Sequence, residues 1–213
     1  MKIALIGAGF TGMPVLAEAL DRGHEITLIL RDPSKVTEAS PKLIVRAADV
    51  NNTDILTGLL EGHDAVISTF NPGWNSPDLY VNFIKGSENI QQAIKTAGIK
   101  RFIVIGGSGS LEVTPGVQLV DTPDFPDKWK EGATAARDYL KTLRRETWLD
   151  WTYLSPAINL YPGTRTGSYR TGMETPVYDD QGRSEISNGD LAVAVLDELD
   201  RSAFIKKRFT AGY

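Results

Sequence analysis

The stretch from Met1 to Leu30, MKIALIGAGFTGMPVLAEALDRGHEITLIL, constrains the fold more than any other. Lys2 to Ile6 is a short apolar run cut off by glycine, as a buried strand is. After the glycines, Val15, Leu16, Ala19 and Leu20 recur at helical spacing, and Gly23 stands where a helix end needs a residue of positive φ. Glu25 to Leu30 then reads as a second strand. A strand, a glycine turn, a helix and a returning strand make a βαβ unit, whose two strands lie parallel in one sheet.

The same rhythm continues down the chain. Asp32 before Pro33 predicts an N-cap and first helical residue in RDPSKVTEAS. KLIVRAADV reads as a third strand ending near Asp49, Thr53 to Glu61 as a short helix, and DAVISTF as a fourth strand. Pro77 to Ala97 is a long helical pattern closed by Gly98, with a weak point at Gly86-Ser87, and RFIVIGGSGS is a fifth strand. This alternation predicts an α/β doubly wound parallel sheet with helices on both faces, in a single domain over residues 1–213. The second half is less regular. Residues 106–130 carry Pro115, Pro123 and Pro126 and read as a long functional loop. A helix from Ala133 to Arg145 and a strand DWTYLSP follow, then an irregular stretch over 159–183. Ser187 with Asp190 resembles a capping box opening a helix to Leu199, and KRFTAG is a last short strand.

Composition narrows the function. The 213 residues are 41% hydrophobic, enough for one sizeable core, and the net charge of −4 argues against nucleic acid as a partner. There is no cysteine, which excludes disulfides and thiolate metal sites. The two histidines, His24 and His63, follow glycines at turns and read as surface residues, not as metal ligands. Trp148 and Trp151 read as packing, and the KKR run at 206–208 as exposed charge. No apolar run reaches the roughly 18 residues of a membrane span, and IALIG is too short for a signal segment. The expectation is a cytoplasmic protein with neither membrane nor nucleic-acid partners.

GAGFTG, Gly7 to Gly12, matches the loose pattern GxGxxG and sits in the context that gives the pattern meaning, between a strand and a helix. Gly7 then makes the tight turn, Gly9 lets a pyrophosphate approach the backbone, and Gly12 lets the helix pack on the sheet. The amides near Phe10 and Thr11 lie at the positive end of the helix, where phosphate is favoured. A ligand-free strand–helix turn is the bland alternative. The end of the second strand reports on the ribose. Counting about 20 residues from Gly12 reaches Asp32, which suggests NAD. Strand geometry instead puts Arg31 directly after Leu30, with Asp32 as a cap, which favours NADP(H) with Arg31 and Lys35 on the phosphate. The other strand ends, Asp49-Val50, Ser68-Thr69-Phe70-Asn71, Gly106-Gly107-Ser108 and Ser155-Pro156-Ala157, gather the small and polar residues that a cofactor wall needs.

Several longer stretches are more specific than the glycines. KIALIGAGFTG, RGHEITLILRDPSKV, DAVISTFNP, AGIKRFIVIGGSGSLEV, LVDTPDFP, LDWTYLSPA, PGTRTGSYR and KRFTAGY together resemble the atypical short-chain dehydrogenase/reductases that bind NAD(P)H. Within these the chain is similar to the group described as candidate NADH-flavin reductases, related to biliverdin reductase B and the NmrA-like proteins. Its glycine turn is one residue shorter than the GATGFIG type common in that group. The resemblance implies a Rossmann domain holding nucleotide by the first loop, Arg31 and the ends of the fourth and fifth strands. It also implies Ser108, the one candidate catalytic residue, beside the nicotinamide, with Ser155-Pro156-Ala157 against the other side. The Tyr and Lys four residues apart that short-chain dehydrogenases use are missing, since no tyrosine here has lysine at +4. The expected activity is hydride transfer from NADPH (NAD possible) to a flavin, quinone or similar small conjugated electron acceptor, which needs no such pair. The alternatives are an NADP(H)-sensing protein without turnover and, less favoured, a sugar-nucleotide epimerase.

Overall fold

A computed structural model describes residues 1–213. In chain order the elements are β1 (Lys2–Ile6), α1 (Gly12–Asp21), β2 (Glu25–Leu30), β3 (Leu43–Ala47), α2 (Thr53–Leu60), β4 (Ala65–Ser68), α3 (Leu79–Thr96) and β5 (Arg101–Ile105). They continue with β6 (Glu112–Thr114), β7 (Val117–Gln118), α4 (Asp127–Leu143), β8 (Asp150–Pro156), β9 (Asn159–Tyr161), β10 (Arg170–Gly172), β11 (Glu185–Ser187), α5 (Asn188–Arg201) and β12 (Lys207–Gly212).

Eight strands form the central sheet in the order β10-β12-β8-β5-β4-β1-β2-β3. All neighbours pair in parallel except the edge strand β10, which runs antiparallel to β12. This is a Rossmann-like α/β fold. Side-chain alternation along β1 explains its two cores. Ile3 and Leu5 pack with α1 and α5 through Val15, Leu16, Leu191 and Val195. Ala4 and Ile6 pack on the other face with α2, α3 and α4 through Leu56, Ile90 and Leu140. Strands buried on both faces need continuous apolar runs, which is why KIALI, AVIS and RFIVI do not alternate with polar residues.

The chain winds from β1 outward to β3, then returns to lay β4 on β1's other side. Strand order therefore reverses between β1 and β4, and a crevice opens at their carboxyl ends.

The structure corrects several expectations. The segment after β2 is one 3-10 turn, Pro33–Lys35, and not a helix. Asp32 still caps it, accepting from the Ser34 amide at 3.2 Å. Gly86-Ser87 is no weak point, because α3 runs through it unbroken. A Cβ at Gly86 would lie 2.4 Å from Phe70 Cζ, so the glycine is the notch into which that ring fits. Helix α4 begins at Asp127, earlier than the apolar spacing suggests, and the preceding loop holds the β6–β7 hairpin. His24 is buried beside the Met1 amino group, and Arg208 of the KKR run is buried and paired with Glu174. No helix is long and apolar enough to cross a membrane.

Candidate functional site

The glycine turn between β1 and α1 forms one wall of the crevice. Gly7 has φ +98°, a conformation that favours glycine, and its amide donates to Ile29 O at 2.9 Å. Gly12 packs so tightly that a Cβ would meet Gly7 O at 2.3 Å. Gly9 is the opposite case: a Cβ there would touch nothing within 4 Å. The Thr69 hydroxyl, just past β4, locks the turn by facing the carbonyls of Gly7 and Ile6 at 3.1 and 3.2 Å. The amides of Phe10, Thr11 and Gly12 donate to no protein acceptor, Thr11 does not cap the helix, and the first turn of α1 carries no acid. Open space at Gly9 thus faces free donors at a helix N-terminus, which suits an anion.

Two cavities meet at this turn. Gly9, Thr69, Phe70 and Asn71 line both of them. The first, about 730 Å³, runs between the ends of β1, β2 and β3 and is lined by Gly7, Arg31, Lys35, Asp49 and Val50. Arg31 reaches across it and donates to Pro72 O at 3.2 Å. Asp32 is turned to its own cap, accepting from the Ser34 hydroxyl at 2.6 Å, and its carboxyl is held below the usual range chiefly by the Ser34 hydrogen bonds. Asp49 holds Asn51 by the amide and side chain at 2.8 and 2.9 Å.

The second cavity, about 940 Å³, lies under the ends of β4, β5 and β8 and the start of α4. Gly106, Gly107, Ser108, Pro156 and Ala157 line its floor, and Phe10 and Thr11 its junction with the turn. Tyr153 supports the floor from below. Its hydroxyl donates to Ala136 O at 3.0 Å and accepts from the Gly107 amide at 3.4 Å. Gly106 must be glycine here, since a Cβ would fall 1.9 Å from the Tyr153 ring. Burial pushes the Tyr153 phenol up to about 12, so it stays protonated near neutral pH. The Ser108 hydroxyl opens a 3-10 turn and makes no hydrogen bond to the protein. Asp124 is the sole ionisable side chain lining this cavity.

Fourteen of the seventeen candidate residues line one cavity or the other. Gly12, Ser68 and Ser155 do not. Gly12 is packed against Gly7, the Ser68 hydroxyl is buried and takes the Phe70 amide at 3.3 Å, and Ser155 is wholly buried with its hydroxyl 3.4 Å from Arg208. In both strands the last residues alternate, so a serine beside a site-facing neighbour points into the packed interior. Asn71, at the same strand end as Ser68, lines both cavities, while sequence reasoning missed Pro72, Trp74 and Trp129. For Pro72 and Trp74 the signal was position, since both follow the end of β4, where a ligand in such a sheet lies. Trp129 is brought to the site only by the way α4 packs.

The arrangement fits a dinucleotide, with its pyrophosphate at the free amides and open Gly9 and its two halves in the joined cavities. Comparison with known proteins supports the ligand class. A family model described as NAD(P)H-binding matches residues 7–202. The uncharacterized protein YwnB of Bacillus subtilis is 37% identical over 99% of this chain and 97% of its own length. A crystal structure of a candidate epimerase from Bacteroides thetaiotaomicron is 41% identical, with a TM-score of 0.94 over 100% of this chain and 96% of that one. The structure of SP1627, a candidate NADH-flavin reductase from Streptococcus pneumoniae, is 37% identical with a TM-score of 0.86, over 100% and 99% of the two chains.

Proposed function

The chain belongs to the NAD(P)H-binding family, and from that premise we propose that it is an NADPH-dependent reductase of flavins, quinones or similar conjugated acceptors. The observation that carries this reading is the makeup of the second cavity. It is lined by aromatic, aliphatic and small polar residues, with Asp124 as its one ionisable side chain. An acceptor that needs a protein acid, such as a simple ketone or a sugar, would find no lysine, histidine or tyrosine there. A conjugated acceptor delocalises the incoming charge and can take its proton from water.

When bound, the reduced nicotinamide supplies the hydride. The protein's part is to bind and orient. The free amides of Phe10, Thr11 and Gly12 would hold the pyrophosphate, and Arg31 and Lys35 the 2′-phosphate. Thr69 keeps the turn rigid, while Gly106 and Gly107 on one side and Pro156-Ala157 on the other would fix the ring plane. Ser108, with its unpartnered hydroxyl, would orient the carboxamide or the acceptor. Asp32 is occupied by Ser34, which favours NADPH over NADH. The absence of an acid–base pair from the second cavity weighs against epimerisation.

The test is to mix the purified protein with NADPH and a panel of FMN, FAD and quinones and follow the reduced nicotinamide band. Acceptor-dependent oxidation is the expected result. Tight NADPH binding with no oxidation by any acceptor would instead favour a sensor of the NADP+/NADPH ratio.

A further inference from the structure

We propose that Trp74 and Trp129 choose the acceptor, forming an aromatic wall that retains planar fused-ring acceptors by stacking and gives little hold to small aliphatic carbonyls. The inference deepens the reductase reading and rests on it.

Trp74 comes from the loop after β4 and Trp129 from the first turn of α4, and both line the second cavity. Their rings meet edge to face, with centroids 4.6 Å apart and planes at 76°. That geometry suits the ring quadrupoles and holds each indole against the other. Gly132 on α4 makes the contact possible, because a Cβ there would lie 2.7 Å from Trp74 Cζ3.

Both residues nonetheless keep much surface exposed, Trp74 at 51% and Trp129 at 38%. Phe10, also lining this cavity, is 50% exposed. Three partly exposed aromatic side chains thus gather around one opening, the Lys128 ammonium lying 4.7 Å from the Trp129 ring centroid, although the fold has interior space for others such as Phe102 and Tyr153. Exposed apolar surface gathered at a cavity marks a binding surface. Flat aromatic ligands cover such surface best, and stacking tolerates different ring systems because each offers a π-face. With Asp124 the one charged group lining the cavity, a small carbonyl compound would depend on hydrogen bonds such as that from Ser108 and gain little from the wall.

The experiment compares the wild type with Trp74→Leu, Trp129→Leu and Trp129→Phe, using 2-methyl-1,4-naphthoquinone as the planar acceptor and methylglyoxal as the small one. KM is measured for both acceptors and for NADPH. The leucine variants are expected to raise the naphthoquinone KM about tenfold and leave the NADPH KM within about twofold, while Trp129→Phe stays near wild type. Unchanged naphthoquinone KM in both leucine variants overturns the proposal, as does a wild type that prefers methylglyoxal. A tenfold loss in Trp129→Phe also overturns it, since the aromatic face is retained there. If the wild type binds NADPH but reduces no acceptor, the reductase reading fails by itself. The wall is then tested by tryptophan fluorescence of the NADP+ complex titrated with the naphthoquinone: saturable quenching weakened about tenfold in the leucine variants supports it, and absence of saturable quenching overturns it.

Discussion

Arg31 donates to the carbonyl of Pro72 at 3.2 Å, tying the end of β2 to the loop after β4 across the mouth of the first cavity. The bond joins two segments that the βαβ winding brings together from 41 residues apart. Pro72 lies two residues before Trp74, so the guanidinium that would hold a ribose phosphate also steadies the loop that carries part of the second cavity.

Arg31→Ala is therefore expected to weaken NADPH binding about tenfold or more, the effect of losing a hydrogen bond to a charged group, and to change NADH binding little. Fluorescence titration with both nucleotides measures this. Equal loss for the two would mean that the arginine does not read the 2′-phosphate.

Two glycines in the same turn should behave in opposite ways. A side chain at Gly9 meets open space, whereas one at Gly12 meets Gly7 O at 2.3 Å. Gly9→Val is expected to keep the wild-type Tm and lose nucleotide binding. Gly12→Ala should lower stability by about 1–3 kcal/mol, the usual range for overpacking. Thermal melts with and without NADPH separate the two effects.

The buried pair Arg101–Glu198, at 2.7 Å, tests the packing of β5 on α5. Thr152 shares the Glu198 carboxylate at 2.8 Å. Arg101→Met leaves that carboxylate buried without its cation and is expected to cost about 3–5 kcal/mol. Urea unfolding reads the loss directly, and restored stability in the double variant Arg101→Met, Glu198→Leu would assign it to the stranded charge.

Stability should also fall in mild acid. Burial, reinforced by the nearby N-terminal ammonium, lowers the His24 pKa in the folded protein, and its Nε2 has no partner. The unfolded chain then binds the proton more readily, so stability is full above the ordinary histidine value of about 6.5 and is lost as pH falls toward the depressed folded value. At lower pH, Glu146 acts in the same direction. Burial alone would raise its carboxyl, but bonds from Lys95, the Trp148 amide and Gln91 outweigh it and bring the value to about 2. Its contribution is present above the ordinary glutamate value of about 4.3 and declines as pH drops toward 2. Urea midpoints of wild type and His24→Gln between pH 7.5 and 5 check the histidine: the variant should show the smaller decline.

The sequence alone determined what local chemistry can determine. Apolar runs marked β1, β4 and β5, those of β1 and β5 cut off by glycine, the Ser187 cap marked the start of α5, where it takes the Asp190 amide at 3.0 Å, and GAGFTG in its βαβ setting marked the turn with its free amides. Each of these signals lies within a few residues of what it specifies. Tertiary structure decided the rest, because it depends on partners distant in the chain. Arg208 looks exposed in a KKR run, yet strand alternation and Glu174 bury it. Ser155 falls on the packed side of a strand whose next residues, Pro156 and Ala157, line the cavity. Trp74 and Trp129 are 55 residues apart and share one wall only because α4 packs across the loop after β4. A sheet's topology fixes where its strand ends gather, and only the packed molecule fixes which side chains face the space between them.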